Sequence, residues 1–255
     1  MNINIYKGEA LEGVRRAAQK SAYVLAKLCE TVVPGMSTLD VDRIAAEYIR
    51  ETGGKSAFLN YHGYPGHICC SINDVVVHGI GRPDVIIQPG DIVSLDVGVT
   101  VDGYTGDNAR SIVAGGVFTD LSKRLIETTR DALTKGIDAA RAGNRVSDIG
   151  AAIEKHVVAN GFSVVRDMVG HGCGKDMHED PQVPNFKTLG PSPVLKEGMI
   201  LAIEPMVNAG TWKIEIDRKD KWTVRTKDGS LSAHFEHQVL ITPHEAEVLT
   251  WPKIV

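Results

Sequence analysis

The chain has 255 residues, 43% hydrophobic and 24% charged, the composition of an ordinary globular protein that can bury a sizeable core. A formal charge of −4 gives no electrostatic case for nucleic acid or membrane surfaces as partners. No apolar run is long enough to span a membrane, Met1–Tyr6 has no signal-peptide pattern, and the four cysteines form no Cys-x-x-Cys pair, so a reducing cytoplasm is expected.

Taken in chain order, Leu11, Val14, Ala18, Leu25 and Leu28 recur near helical spacing and predict a helix from about Glu9 to Thr31. Pro34-Gly35 breaks it. Ser37-Thr-Leu-Asp40 starts a second helix in capping-box fashion, and Gly53-Gly54 ends it. A polar, aromatic loop, Tyr61–Gly66, leads to short strands around Ile68–Ile72 and Val75–His78. The stretch Asp91–Ser111 then reads as two β-branched strands joined by Asp102-Gly103, a dipeptide suited to a tight hairpin turn. If those two residues form the loop, Asp107 lies opposite Gly98 and diagonal to Asp96 on the same face. Diagonal neighbours are roughly 7–8 Å apart. Two carboxylates held that way repel unless a proton or a metal ion lies between them.

Ala114-Gly115-Gly116 reads as a joint between halves of about 1–115 and 117–255 within one domain. The second half begins with a helix at about Asp120–Arg141. Gly143 breaks that helix, Ser147 caps a shorter one, and Asn160-Gly161 ends it. An offset of 108 residues, the distance from Gly35 to Gly143, aligns the halves. It lays Gly53 on Gly161, Gly90 on Gly198, Ile92 on Ile200 and Asp96 on Glu204. A carboxylate therefore recurs at one place in one strand of each half, and a pseudo-twofold axis would bring the two together.

Other candidates of ligand type follow. Gly170-His171-Gly172-Cys173-Gly174-Lys175-Asp176-Met177-His178 reads as a glycine-rich loop with two histidines, and Ser232–Ile241 as a late strand carrying Glu236. His78 ends the strand Val75–Val77. Singly, Asp96 or Asp107 fits a turn or a salt bridge as well as a metal site. Glu204, in an otherwise apolar strand, is harder to explain away, because an unpaired buried carboxylate is costly. Cys173 reads as a small filler residue. His62, His67, His156, His234, His237 and His244 read as surface or satisfied polar residues. A set rich in carboxylate, with imidazole and no thiolate pair, suits manganese, iron or cobalt, with zinc as an alternative, and also suits two ions roughly 3.5–4 Å apart.

At these residues the chain resembles the type I methionine aminopeptidases. The matching runs are Tyr61-His-Gly-Tyr-Pro, Ser71-Ile-Asn-Asp-Val-Val-Val-His-Gly-Ile, Gly106-Asp-Asn, Gly170-His-Gly-Cys-Gly, His178-Glu-Asp-Pro-Gln-Val, Ile203-Glu-Pro-Met-Val-Asn and Trp222–His237. The resemblance implies an α+β pita-bread fold, two pseudo-symmetric halves around a dimetal site. It implies Asp96, Asp107, His171, Glu204 and Glu236 as ligands of two divalent ions (cobalt, manganese or iron, zinc being the alternative), with Asp107 and Glu236 bridging. It implies removal of the initiator methionine from peptides and nascent chains by a metal-activated hydroxide, with Glu204 as proton shuttle and His78 and His178 holding substrate.

By the same resemblance Tyr61, His62, Tyr64, Cys69 and Trp222 line the side-chain pocket. The chain departs from the pattern at Phe58, where a cysteine is common, at Met177, where an aromatic is common, and at Asn108, where threonine is usual. The interval from Glu204 to Glu236 leaves no room for the helical insertion of type II enzymes. Ribosome contact is left open, and nothing requires more than a monomer. Two other readings use the same fold: an aminopeptidase for Xaa-Pro bonds, and a non-catalytic binding protein.

Overall fold

The computed structural model describes residues 2–251. Helix α1, Gly8–Thr31, turns Val14, Ala18, Leu25 and Leu28 inward, the face its spacing predicts. Helix α2, Thr38–Glu51, opens with a complete capping box: Ser37 Oγ accepts the Asp40 N–H, and the Asp40 carboxylate accepts the Ser37 N–H at 3.0 Å. Strands β1 (Lys55–Ser56), β2 (Cys69–Ile72) and β3 (Val75–Val77) follow, and then the hairpin of β4 (Ile92–Val101) and β5 (Tyr104–Val113). Asp102 and Gly103 adopt φ of 52° and 78°, the left-handed pair that a two-residue turn of this kind needs. The register is the one read from the sequence, with Gly98 opposite Asp107 and Asp96 opposite Ala109.

Beyond a turn at Ala114–Gly116 lie α3, Asp120–Ala139, and α4, Val146–Ala159. Helix α3 stops at Ala139, short of the expected Arg141, because Asn144 Nδ2 donates to the Ala139 carbonyl at 2.8 Å. Ser147 does not cap α4. It lies inside the first turn, its N–H donating to Ser192 Oγ at 2.9 Å, while the Asp148 carboxylate accepts the Arg145 N–H at 2.7 Å. An aspartate at the third helical position satisfies the free amide as well as a serine cap does.

The remaining strands are β6 (Ser163–Val164), β7 (Gly170–Gly172), β8 (Glu179–Val183), β9 (Ile200–Ile203), β10 (Met206–Asn208), β11 (Ile214–Ile216), β12 (Val224–Thr226), β13 (Ser232–His234), β14 (His237–Leu240) and β15 (Glu247–Val248). Strand β4 takes β5 on one edge and β1 and β2 on the other. In the second half β9 lies between β14 and β7, with β15 and β8 outside them. Two three-stranded sheets, β13-β10-β6 and β11-β12-β3, complete the set.

The 108-residue repeat is visible in the backbone. Helices α2 and α4 coincide at both ends under that shift. Gly35 and Gly143 have φ of 95° and 94°, Gly53 and Gly161 have 73° and 82°, and Gly90 and Gly198 have 92° and 90°. These are left-handed positions that favour glycine. Each half has its own core. Leu28, Val41, Leu95 and Val97 belong to the first, and Leu125, Ile149, Leu201 and Ile203 to the second. Helix α1 sits so close to β5 that a Cβ on Gly106 would fall 2.4 Å from the Ala17 carbonyl oxygen.

The halves are stitched at the centre. The Glu236 N–H donates to the Ala109 carbonyl at 2.9 Å, and Ser111 Oγ donates to the His234 carbonyl and accepts the His234 N–H at 2.9 and 2.8 Å. This α+β arrangement of two related halves meeting along β5 is the pita-bread fold. Among the described residues no helix is long and apolar enough to cross a membrane.

Candidate metal centre

The seam between the halves carries the acidic cluster. Asp96 and Asp107 come from the unbroken hairpin. Glu204 comes from the kink at Pro205, where β9 gives way to β10. The expected single strand Ser232–Ile241 is interrupted at Phe235-Glu236, and this break faces Ala109 of β5 and turns Glu236 inward. His171 is not in a loop. It occupies β7, paired with Ala202 of β9, so the sheet itself fixes the ring. Gly170 and Gly172 are needed there, because a Cβ at either would lie 2.3–2.4 Å from a neighbouring carbonyl oxygen.

The donor atoms converge. One ligand atom each of Asp107, His171 and Glu236 lie within 4.8 Å of one another. His171 Nε2 is 3.4 Å from Glu204 Oε1 and 3.8 Å from Asp107 Oδ2. Its Nδ1 donates to the Gly172 carbonyl at 2.9 Å, which leaves the Nε2 lone pair directed at the carboxylates. Burial pushes the His171 pKa down to about 3, with the His178 charge adding to it, so the ring is neutral at pH 7.

Burial also pushes the carboxylates up. Asp107 rises to about 7, and Asp96, Glu204 and Glu236 rise well above the usual range, with repulsion from Asp107 as the next cause in each. Asp96 Oδ1, Asp107 Oδ1 and Glu236 Oε1 are buried with no hydrogen-bond partner among the described residues. Buried acceptors without donors are rare. Four crowded carboxylates and one imidazole lone pair form a donor set that fits divalent cations.

Above the cluster is a cavity of about 130 Å³, lined by all five of these residues and by Phe58, Tyr61, Tyr64, Cys69, His78, Met177, His178 and Trp222. Gly98 makes space here, though not for an ion: a Cβ there would lie 2.5 Å from Phe58 Cε1, so the glycine admits the phenyl ring. Tyr64 anchors the wall by donating to the Gly79 carbonyl at 3.0 Å, and Trp222 packs edge-on against it at 5.3 Å. Asp220 fixes the Trp222 loop by accepting the N–H groups of Trp222 and Thr223.

His178 stands exposed at the mouth, its Nδ1 2.8 Å from the Tyr61 hydroxyl and its ring 4.2 Å from that of His171. Its pKa is lowered by burial and then by the His62 charge. His78, at φ 59°, sits beside Trp222, and burial lowers its pKa to about 4. His62 is exposed, packs edge-on against Tyr61 at 4.4 Å and does not line the cavity.

One residue that sequence reasoning left among satisfied polar positions belongs here. His234 is 1% exposed, with Nε2 3.7 Å from Glu204 Oε2 and otherwise unpartnered. Its place two positions before Glu236 was the available signal. Burial, followed by the charge of His78, lowers its pKa to about 3.

Comparison with known proteins agrees with this geometry. Residues 12–243 match the model of metallopeptidase family M24. The methionine aminopeptidase of Escherichia coli strain K12 is 44% identical over 99% of this chain and 96% of its own length. That of Clostridium acetobutylicum is 43% identical over 94% and 95%. The crystal structure of Thermotoga maritima methionine aminopeptidase superposes with a TM-score of 0.94 at 40% identity, covering 98% of this chain and 99% of that one. Pyrococcus furiosus prolidase shares the fold at a TM-score of 0.78 and 22% identity, and this chain covers 66% of its length. With its central carboxylate–histidine cluster and near full-length similarity to these enzymes, the chain belongs to metallopeptidase family M24 and, within it, to the methionine aminopeptidases.

Proposed function

We propose that Asp96, Asp107, His171, Glu204 and Glu236 together hold two divalent ions, with Asp107 and Glu236 shared, and that the chain acts there as one domain to remove N-terminal methionine. The observation that carries this reading is the set of buried, unpartnered carboxylate oxygens at the floor of an apolar cavity. Two divalent ions bound there would supply Lewis acidity and water acidified toward neutral pH. A carboxylate-rich set leaves the identity of the ion to availability, so manganese, iron, cobalt and zinc all remain candidates.

The protein's own groups divide the remaining work. Glu204, at the chain kink and 14% exposed at its side chain, accepts a proton from the attacking water and passes it to the departing amine. With Tyr61 O–H donating to His178 Nδ1, the Nε2–H of His178 is free to donate to the scissile carbonyl as negative charge develops on oxygen. His78 and Asp96 face the position of the free α-amine. An apolar cavity of about 150 Å³ holds a molecule the size of benzene, so this one suits a single unbranched side chain. Phe58, Tyr64, Cys69, Met177 and Trp222 would surround a thioether, a soft group that packs well against aromatic rings. Peptides and nascent chains in the cytoplasm would be the substrates, and a monomer suffices because every proposed group comes from one chain. Ribosome contact would place the enzyme at its nascent substrates.

The test is cleavage of Met-Ala-Ser, Leu-Ala-Ser and Ala-Pro peptides by chelator-stripped protein, with manganese, iron, cobalt or zinc restored singly. Metal-dependent release of methionine is expected, with Leu-Ala-Ser slower by about 10–200-fold, the range that small differences in an apolar pocket produce. Equal cleavage of leucine would mean that Phe58 and Met177 have reshaped the pocket. Hydrolysis only before proline, or none with any ion, would overturn the proposal.

A further inference from the structure

The strand that presents Asp107 to the metal centre has a second face. Its neighbours Asn108 and Arg110 point the other way, into a separate cavity of about 620 Å³ between α1, α3 and the β14–β15 edge. That size falls within the range of small-molecule sites. Leu25, Ile126, Leu133, Ile137, Phe235 and Val248 make its walls largely apolar, and Trp251, 60% exposed, stands at the mouth.

The charges in this cavity are one-sided. Arg110 is half-buried and makes no hydrogen bond or ion pair among the described residues. Arg130, the other cation in the lining, pairs with Asp131 at 3.0 Å outside the cavity. No carboxylate lines it. Ser21 Oγ lies 2.7 Å from both the Val97 carbonyl and the Asn108 side-chain amide, so the buried Asn108 is tied to α1 and β4 rather than to the cavity charge. Arg110 is close enough to His237 that its charge adds to burial in lowering that imidazole to about 4. His237 Nδ1 is satisfied by Thr250 Oγ1 at 2.9 Å, so the ring does not neutralise the guanidinium. A half-buried guanidinium, set in an apolar chamber with no acid in its lining, forms a receptor for an anion with a hydrocarbon body.

We propose that this cavity binds a medium-chain aliphatic carboxylate, with Arg110 holding the carboxylate and the α1–α3 walls enclosing the chain. The site is separated from the metal centre by β5 and by the Phe235–His237 stretch that carries Glu236.

Calorimetric titration of the metal-loaded full chain with octanoate tests the proposal. One saturable site is expected, with the same affinity in metal-stripped protein and no saturable binding of octanol. Arg110→Gln should weaken octanoate by about tenfold or more, the scale of losing a charge-assisted contact. Thr134→Trp, which fills the chamber from the exposed side of α3, should abolish binding while leaving methionine release intact. Octanoate heats that vanish on metal stripping, or that survive both substitutions, would overturn the proposal. So would the absence of saturable binding. Residues 252–255, which follow Trp251 at the mouth, are the competing occupant: binding seen only in a chain ending at Trp251 would assign the cavity to them instead.

Discussion

The two halves share a backbone plan but use it differently. In the first, β4 runs for ten residues without a break; Asp96 has paired strands on both sides, and Asp107 is paired to β4 on one. In the second, the equivalent strand stops after Ile203, and Glu204 stands at the kink before Pro205, one side-chain oxygen near His171 and the other near His234. The continuous half fixes where its two carboxylates stand. In the mechanism we propose, the broken half provides the carboxylate that takes and passes the proton. The repeat gives the two halves their symmetry, and the strand breaks set the carboxylates of the second half apart from those of the first.

Substitution of the two carboxylates should separate these roles most sharply. Asp107→Asn is expected to remove bound metal and all turnover, measured by metal analysis and Met-Ala-Ser cleavage. Glu204→Gln should keep at least one ion and lower kcat by about 10²–10⁴, the usual contribution of an acid–base group. If Glu204→Gln retained a near-native rate, the division of labour between the halves would fail.

His234 refines the same comparison, because it stands beside the carboxylate at the kink, 3.7 Å from Glu204 Oε2. His234→Ala should reduce kcat by about 10–100-fold with KM little changed, as losses of groups that orient a metal ligand do. His234→Gln, which keeps a hydrogen-bonding amide near Glu204, should recover most of the rate. An unchanged pH–kcat profile together with equal loss in both variants would reduce His234 to a packing role.

Stability against pH probes the crowded carboxylates of the metal-stripped protein. The raised pKa of Asp107 means that the folded chain keeps a proton the unfolded chain has lost, so stability falls as pH rises between the unfolded value near 4 and the folded value of about 7. Below about pH 6.5 the lowered pKa values of His78, His171 and His234 act in the opposite sense, since the unfolded chain then binds the extra protons. Above about pH 7 the unfolded histidines are mostly neutral, and the carboxylates dominate. Thermal midpoints of stripped protein should drop there by about 2–4 °C per pH unit, whereas metal-loaded protein should show no such slope. A flat profile for the stripped protein would mean that the carboxylates do not crowd as described.

The smallest effect concerns the shared plan itself. Gly90→Ala and Gly198→Ala both force alanine into a left-handed conformation, a cost of about 1–2 kcal/mol. Gly198→Ala should cost more, because its Cβ would meet Ile5 Cγ2 at 2.8 Å, while that of Gly90 meets nothing closer than the Val117 carbonyl at 3.3 Å. Chemical denaturation of the two variants measures the difference, and equal losses would show that backbone strain alone decides.

Much of this was written in local residue patterns. Asp102-Gly103 announced the hairpin and its register because a two-residue turn leaves strand pairing no freedom, and that register placed Asp107 opposite Gly98. The repeat was legible through glycines, since left-handed backbone positions recur wherever the plan does. The capping box at Ser37 was readable for the same reason, as both of its partners lie within one turn. Ser147 misled because its acceptor, Ser192, lies in a distant loop.

Sequence by itself thus determined the helices, the hairpin, the duplication and, through the family resemblance, the five candidate ligands. Each of these rests on residue spacing or on motifs contained in single stretches of chain. Tertiary structure alone decided that Phe58 occupies the space beside Gly98, that His171 rides on a strand, that His234 reaches Glu204, and that Arg110 faces a second cavity. Those facts depend on contacts between segments far apart in the chain, such as Ser111 with His234, and close approach of that kind is set by packing, on which residue order within any one segment carries no information.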